Sequence, residues 1–488
     1  MTSISTFLLS QRVLRPATIA ALLFFAVATP SRADTVTVTN TNDSGPGSLR
    51  QALGMVNDGD TIDFAVTGTI TLTSGELLVN DNITISGPGA ANLAVNGNLI
   101  SRVFHIGSGK TVIISGLTIA NGFIEFGDSG GGIYNDHATL TIDGCTMSGN
   151  SGGSGGGAVY NDGTFGTATL NVTGSDLTGN SGFDGGAIFG NGFSGNTTIN
   201  VDATTIAGNS GQEAGGIYSQ GGGGQTGNAT LNISDSTLSN NSGELTAGAV
   251  YSNGSGSGMA TLRVSNSTFS GNSAPNLNGG AIYNDGSNGN AIAQVSNTTF
   301  SGNTAGDTGG GIFNAGSSGI AIVEIGDTVL NAGAVGANIA NEGGTVTSHG
   351  YNISSDNGGG YLTGPGDQIN TNPMLGALQN NGGPTSTHAL LPGSPAIDTG
   401  DPGFTPPPLY DQRGTGYPRV VNGRIDKGSF EVQTGGTPTP TPTPTATATT
   451  TPSPSATPTA TSTPSTTPRV TPTPRPRPTP ARRPTAST

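Results

Sequence analysis

The sequence predicts an all-β parallel solenoid, a coil of short strands in which each turn lies on the one before. Two repeated motifs predict it, together with a near absence of helical pattern between them. A Gly-rich motif closing on an aliphatic and an aromatic residue occurs seven times between residues 130 and 314. A Thr-rich motif of alternating apolar residues, closing on Asn, follows six of these copies. A strand-turn-strand unit of about 30 residues cannot bury its apolar face alone, whereas stacked copies can.

The first motif reads GGGIYND at 130–136, GGGAVYND at 155–162 and GGAIFGN at 185–191, and ends as GGGIFN at 309–314. Its aliphatic position falls at Ile133, Val159, Ile188, Ile217, Val250, Ile282 and Ile312, at intervals of 26, 29, 29, 33, 32 and 30. An aromatic residue follows each: Tyr134, Tyr160, Phe189, Tyr218, Tyr251, Tyr283 and Phe313. If the aliphatic residue points inward, a period of two points the aromatic outward. Seven outward rings would form a stripe on which sugars stack, and these seven are the candidate ligand-binding residues. The competing reading has a turn break the alternation and pack the column against Gly-rich loops.

The second motif reads ATLTIDGCTMSGN at 138–150 and recurs to AIAQVSNTTFSGN, which ends at Asn303. Alternation of Leu140 with Ile142 and of Leu170 with Val172 marks strands with one buried face. Stacking in register would place Met147, Leu177, Ile206, Leu238, Phe269 and Phe300 in one interior column. Cys145, the single cysteine, would fill a small-residue column with Ser175, Thr204, Ser236, Ser267 and Thr298. Asn150, Asn180, Asn209, Asn241, Asn272 and Asn303 would form an amide ladder bonding rung to rung. A residue repeated six times serves the fold and not a single catalytic centre.

Five segments follow: an export signal over 1–33, an N-terminal cap over 34–59, rungs over 60–370, a C-terminal cap over 371–436 and a disordered tail over 437–488. The signal has Arg12 and Arg15 before an apolar run, Ile19 to Ala28, too short to span a bilayer, with a small-residue cleavage pattern at Ser31–Ala33. In GSLRQALGMVN at 47–57, Leu49, Ala52, Leu53 and Val56 fall on one helical face, with Ser48 and Gln51 as a capping box. We expect this short helix to lid the first rung, with Arg50 on its solvated face. Dense Pro and Gly in 372–431 predict an irregular wrap over the last rung. The tail holds 15 Pro and 20 Thr in 52 residues and no acid, a polyproline-like spacer or stalk.

Composition excludes several functions. Of 488 residues 83 are Gly and none is Trp, without the strict three-residue period of collagen. One cysteine rules out a disulfide scaffold. The body from 34 to 436 carries 30 acidic and eight basic side chains, a net of −22, which repels nucleic acid and anionic lipid. A lyase acting on uronates needs a basic group, yet Arg263 is the only one between 111 and 412. His105, His137 and His388 show no clustered partner in the sequence, and Ser348-His349-Gly350 is the nearest approach to a Gly-His-Gly signature. Asp136, Asp162 and Asp285 recur at a turn, as turn chemistry. No cofactor is expected, and no D-x-D-x-D-G loop or nonapeptide repeat supports Ca²⁺ on those turns.

GGAI at 185–188 and 279–282 and FSGN at 269–272 and 300–303 resemble the repeats of polymorphic outer-membrane proteins and related bacterial β-helix proteins. TVTNTNDSGPGSLRQAL resembles the N-terminal cap called the CSLREA domain, with Gly47 in place of its cysteine. NPMLGALQNNGGPTSTHALLPGSPAID, DQRG and DKGSFE are similar to the choice-of-anchor Q domain. The resemblance spans about 35–432. It implies a right-handed parallel β-helix of the pectin-lyase-like type, exported and surface-associated, and carries no agreed catalytic set. The expected role is a monomeric, non-catalytic, adhesin-like or structural surface protein that grips polysaccharide. The alternative is a polysaccharide lyase or glycoside hydrolase of the same fold.

Overall fold

The computed structural model describes residues 33–222 and 226–433. The expected tail and the expected signal, but for Ala33, lie outside the described residues. Among them no helix is long and apolar enough to cross a membrane.

The chain forms a parallel β-solenoid of about ten turns. Each full turn visits four sheets in order, as in Ile133–Asp136 (sheet I), Thr139–Asp143 (sheet II), Thr146–Ser148 (sheet III) and Ser151–Gly152 (sheet IV). Sheets I, II, III and IV contain 10, 12, 11 and 6 strands, all parallel. Ile133 pairs with Val159, Val159 with Ile188, and so on to Ile312, so the repeat columns are the ladders of sheet I. Met147, Leu177, Ile206, Leu238, Phe269 and Phe300 form the expected column in sheet III, fully buried. Inward residues of sheets I to III make one continuous apolar core.

Polar corners separate the sheets. Asn180 accepts the backbone N–H of Asn150 at 3.0 Å and its side-chain N–H at 3.0 Å, and donates to Met147 O and to Asn209 Oδ1. The same pattern runs to Asn303. Along this ladder each interior side-chain amide therefore has a partner one rung away, as a dry corner requires. Cys145 is buried in its small-residue column, donates to Ile114 O at 3.5 Å, and burial raises its thiol pKa to about 11. It is a filler with little thiolate character.

The turn from sheet IV back to sheet I is tight. A Cβ on Gly186 would overlap Gly215 O, and one on Gly248 would overlap Gly280 O, so this position holds only glycine, from Gly131 to Gly310. The requirement is close backbone approach, not unusual dihedrals.

The helix at the first rung is Leu49–Leu53, shorter than the pattern predicts. Ser48 Oγ accepts from Gln51 N, while Gln51 Oε1 accepts from Gly47 N at 2.6 Å. Leu49, Ala52 and Val56 close the core with Val38. Arg50 is not on a solvated face: it pairs with Asp43 at 2.8 Å and donates to Glu76 O and Gly75 O.

Residues 372–433 lie along the flank of the solenoid, where a wrap over the last rung was expected. They pack on outward positions of sheet III. Gln412 bonds Thr237 and Thr268, Ser429 bonds Thr299, and His388 bonds Ser270. Val329, Ile353, Leu390, Ala396 and Phe430 form a second apolar cluster beneath. At the far end, Leu362 joins the core from the turn after Gly358–Gly360.

Candidate functional site

A groove runs outside sheet IV. Its floor is the row Ser151, Ser181, Ser210 and Ser242 with their following glycines; Phe123, Ile124, Phe126 and Phe183 rise beside it, enclosing ≈ 510 Å³. A second hollow of ≈ 750 Å³ continues past Phe126 to Leu99 and Ile100. The ladder asparagines space the floor: Ser181 N donates to Asn150 O at 2.9 Å and Ser210 N to Asn180 O at 3.0 Å. Hydroxyls therefore recur at the strand spacing of about 4.8 Å. Phe126 is 80% and Phe183 41% exposed, and their rings meet edge to face at 6.0 Å. Phenyl faces over a hydroxyl floor are suited to sugar rings, which are apolar on their faces and polar at their rims.

The predicted aromatic column exists, and it is largely covered. The seven residues pair in register along sheet I. Phe189, Tyr218, Tyr251 and Phe313 are only 4–7% exposed; Tyr134, Tyr160 and Tyr283 are half-buried. Ring faces are occupied by neighbouring rings: Phe189 stacks on Tyr218 at 5.0 Å and Tyr218 on Tyr251 at 4.7 Å, each within 8° of parallel. Ala214 and Ala247 pack over these rings, and Gly155 lies against Phe189. The column thus packs under its small-residue loops. Tyr218 accepts from Asn253 at 2.7 Å, and Tyr134 and Tyr251 donate to Asp162 and Asp285 at 2.7 and 3.0 Å. Burial raises these phenol pKa values, that of Tyr160 to about 12, so none serves as a base near neutral pH. The other oxygen of Asp162 and of Asp285 caps its own turn, accepting from Thr164 N and Ser287 N.

At the N-terminal end of the column, side chains meet that show no clustering in the sequence. His105 stands in register with Tyr134, its ring 4.8 Å away, and faces Glu76 Oε1 at 3.1 Å. Arg102 bridges Glu76 at 2.5 Å and Asp128 at 3.1 Å. His137 lies between Asp136 and Thr164 O, which engage both its ring nitrogens and raise its pKa against the effect of burial. Asp136, His137 and Asp162 are close enough to share an ion, but the nitrogens of His137 already face other partners.

Charge limits the chemistry. Arg50, Arg102, Arg413, Arg419, Arg424 and Lys427 are all bonded to the protein. Lys110 and exposed Arg263 are the remaining basic side chains of the body, and neither lines the groove. Beside the groove, Asp184 follows Phe183, and Glu213 lies one rung on, since Gly185 pairs with Ala214. Burial first, and then Glu213, raise the Asp184 pKa to about 7.

No protein-family model matches the chain, and no curated protein matches it. Among solved structures it aligns with the crystal structure of pectate lyase Pel9A at 15% identity, over 83% of this chain and 97% of that one, with a TM-score of 0.52. It aligns more loosely with the PL6 family alginate lyase AlyGC, at 14% identity over 72% of this chain and 55% of that one, with a TM-score of 0.32. A PL6 alginate lyase in complex with a trisaccharide aligns at 11% identity over 75% and 92%, with a TM-score of 0.27. The first likeness is one of fold, and the fold is the right-handed parallel β-helix of pectate lyase type.

Proposed function

We propose that this protein is an exported, surface-associated module that holds a polysaccharide chain in the groove outside sheet IV without cleaving it. The observation that carries this reading is the exposed Phe126 and Phe183 pair over a floor of serine hydroxyls. The half-buried Tyr134, Tyr160 and Tyr283 stay in the proposal as secondary stacking surfaces. Phe189, Tyr218, Tyr251 and Phe313 leave it, because their faces are already taken. With no cation lining the groove, neutral glycans should be held better than polyuronates.

The test follows retention and chain cleavage together on a panel of plant, algal and bacterial polysaccharides, with and without Ca²⁺. Retention without new reducing or unsaturated ends is expected. Phe126→Ala and Phe183→Ala should each weaken it by roughly five- to tenfold, the worth of one aromatic contact. Retention unchanged in both variants would refute the groove.

One observation favours a hydrolase as the second reading. Burial, with Glu213 one rung on, lifts the Asp184 carboxyl toward neutral pH, the direction a general acid needs. Release of reducing ends, abolished in Asp184→Asn, would establish it. A lyase finds no basic group in the groove.

A further inference from the structure

The flank segment buries more charge than any rung. Asp411 and Arg413 pair at 2.5 Å, with the guanidinium of Arg413 between the rings of Tyr417 and Phe430. Lys427 donates to Gly366 O at 2.8 Å. Three acids of the same segment, Asp398, Asp426 and Glu431, have no such cation: among the described residues no ion pair reaches them. One carboxylate oxygen from each lies within 4.8 Å of the other two. Arg419 is nearby and favours the ionised forms of Asp426 and Glu431, but it pairs with neither: its Nη2 donates to Asn297 Oδ1, Asp426 O and Gly428 O, all uncharged, and its Nε and Nη1 are buried without partners.

The hydrogen bonding shows which group is incomplete. Asp426 accepts from Asp398 N and Val432 N, both at 2.7 Å. Glu431 is 0% exposed. Its Oε2 accepts from Asp426 N at 2.8 Å, while its Oε1 is buried with no partner at all. A buried carboxylate oxygen without a donor is a costly defect. Here it sits in a group of three acids that share the influence of one buried guanidinium, Arg419, and that no ion pair neutralises. Such a cluster is discharged either by protons or by a cation. Asp398 is partly exposed and leaves a way in from solvent.

We propose that Asp398, Asp426 and Glu431 hold a calcium ion. The donors are oxygens only, which excludes the soft-ligand metals and suits Ca²⁺, and their irregular placement on two stretches of chain suits its flexible coordination better than the strict octahedron of Mg²⁺. The ion would fasten the 398 turn to the 426–431 stretch, and so tie the flank segment to itself. The site is separate from the groove and from the Asp136 and Asp162 turns.

The experiment is equilibrium dialysis and calorimetric titration of the EDTA-treated full chain with CaCl₂, with thermal unfolding in parallel. One Ca²⁺ per chain, submillimolar affinity on the order of 10⁻⁴ M or tighter, and a higher unfolding temperature are expected. Glu431→Gln and Asp398→Asn should each weaken uptake by roughly tenfold or more, whereas Asp162→Asn should leave it unchanged. If Glu431→Gln fails to fold, Asp398→Asn, on the solvent side, still decides. The proposal is overturned if no ion is taken up at about 5 mM CaCl₂, or if uptake persists undiminished in Asp398→Asn. A parent chain that takes up no ion and unfolds at the same temperature in EDTA as in CaCl₂ would show that a proton fills the role instead.

Discussion

The rungs and the flank segment satisfy their buried polar groups in opposite ways. Between residues 130 and 330 the buried polar side chains are mostly neutral, and the corner asparagines bond to their own equivalents one rung away, as Asn180 does to Asn150 and Asn209. In 372–433 nothing repeats, and the buried polar groups include Asp411, Arg413, Arg419, Asp426, Lys427 and Glu431. Repetition supplies a partner at a fixed distance, so a short amide suffices. Without repetition, a long side chain with several donors must span irregular gaps, and arginine does this well. Each ladder amide serves several groups on two neighbouring rungs, while the flank segment depends on unique pairs.

Removing one amide from the ladder should have the largest effect. Asn241→Ala strips acceptors from Asn209 N and Nδ2 and donors from Ile206 O and Asn272 Oδ1. A loss on the order of 5 kcal/mol is expected, seen as a fall in the urea midpoint. Arg413→Leu should come next, at roughly 3–5 kcal/mol, because it leaves fully buried Asp411 without its cation. Hydrogen exchange should localise that loss to 411–431 and spare sheet II. Equal loosening of both regions would break the contrast.

Acidity sharpens it. Asp235 and Asp327 sit where rungs meet flank, and burial raises each to about 6. Their folded pKa values lie above the unfolded ones, so the folded state holds extra protons between about pH 4 and 6. Stability should fall as pH rises through that window, with Ca²⁺ in constant excess, and Asp184, raised to about 7, carries the fall on toward neutral pH. His388, lowered by burial, works in the opposite sense, losing stability as pH falls below the ordinary histidine range. Asp235→Asn with Asp327→Asn should flatten the first trend between about pH 4 and 6 and leave the second. The smallest effect expected is Tyr218→Phe, about 1 kcal/mol by urea unfolding, since Asn253 loses one acceptor while the ring stack survives.

What the sequence made legible follows the same division. Ile133, Met147 and Asn150 recur at one period, so their columns and registers could be read directly. The cover over the aromatic column was legible only as one of two readings, because choosing between them depends on Gly155, Ala214 and Ala247 folding against the rings. Phe126 and Phe183 lie outside the repeated motifs, and nothing in a period marks them. Glu76, Arg102 and His105 did leave a trace: the acid precedes its partners by 26 and 29 residues, one rung, in a stretch where the motif itself is weak. The flank placement also left one. The outward column of sheet III passes from exposed Asp176 to buried Thr237, Thr268 and Thr299, which reveals a cover only once the strands are stacked. Asp398, Asp426 and Glu431 come together through irregular turns that no periodicity encodes.

The glycine corner between sheets IV and I bears on how such a chain lengthens. A side chain at Gly186 or Gly248 would collide with the backbone of the next rung, so no insertion or substitution there is absorbed locally. The connections elsewhere vary freely enough to give repeats of 26 to 33 residues. Duplication or deletion of a whole coil preserves every corner, whereas a change inside the corner preserves none. Length in this molecule is therefore heritable in whole coils, and its groove would grow or shrink with them, one serine at a time.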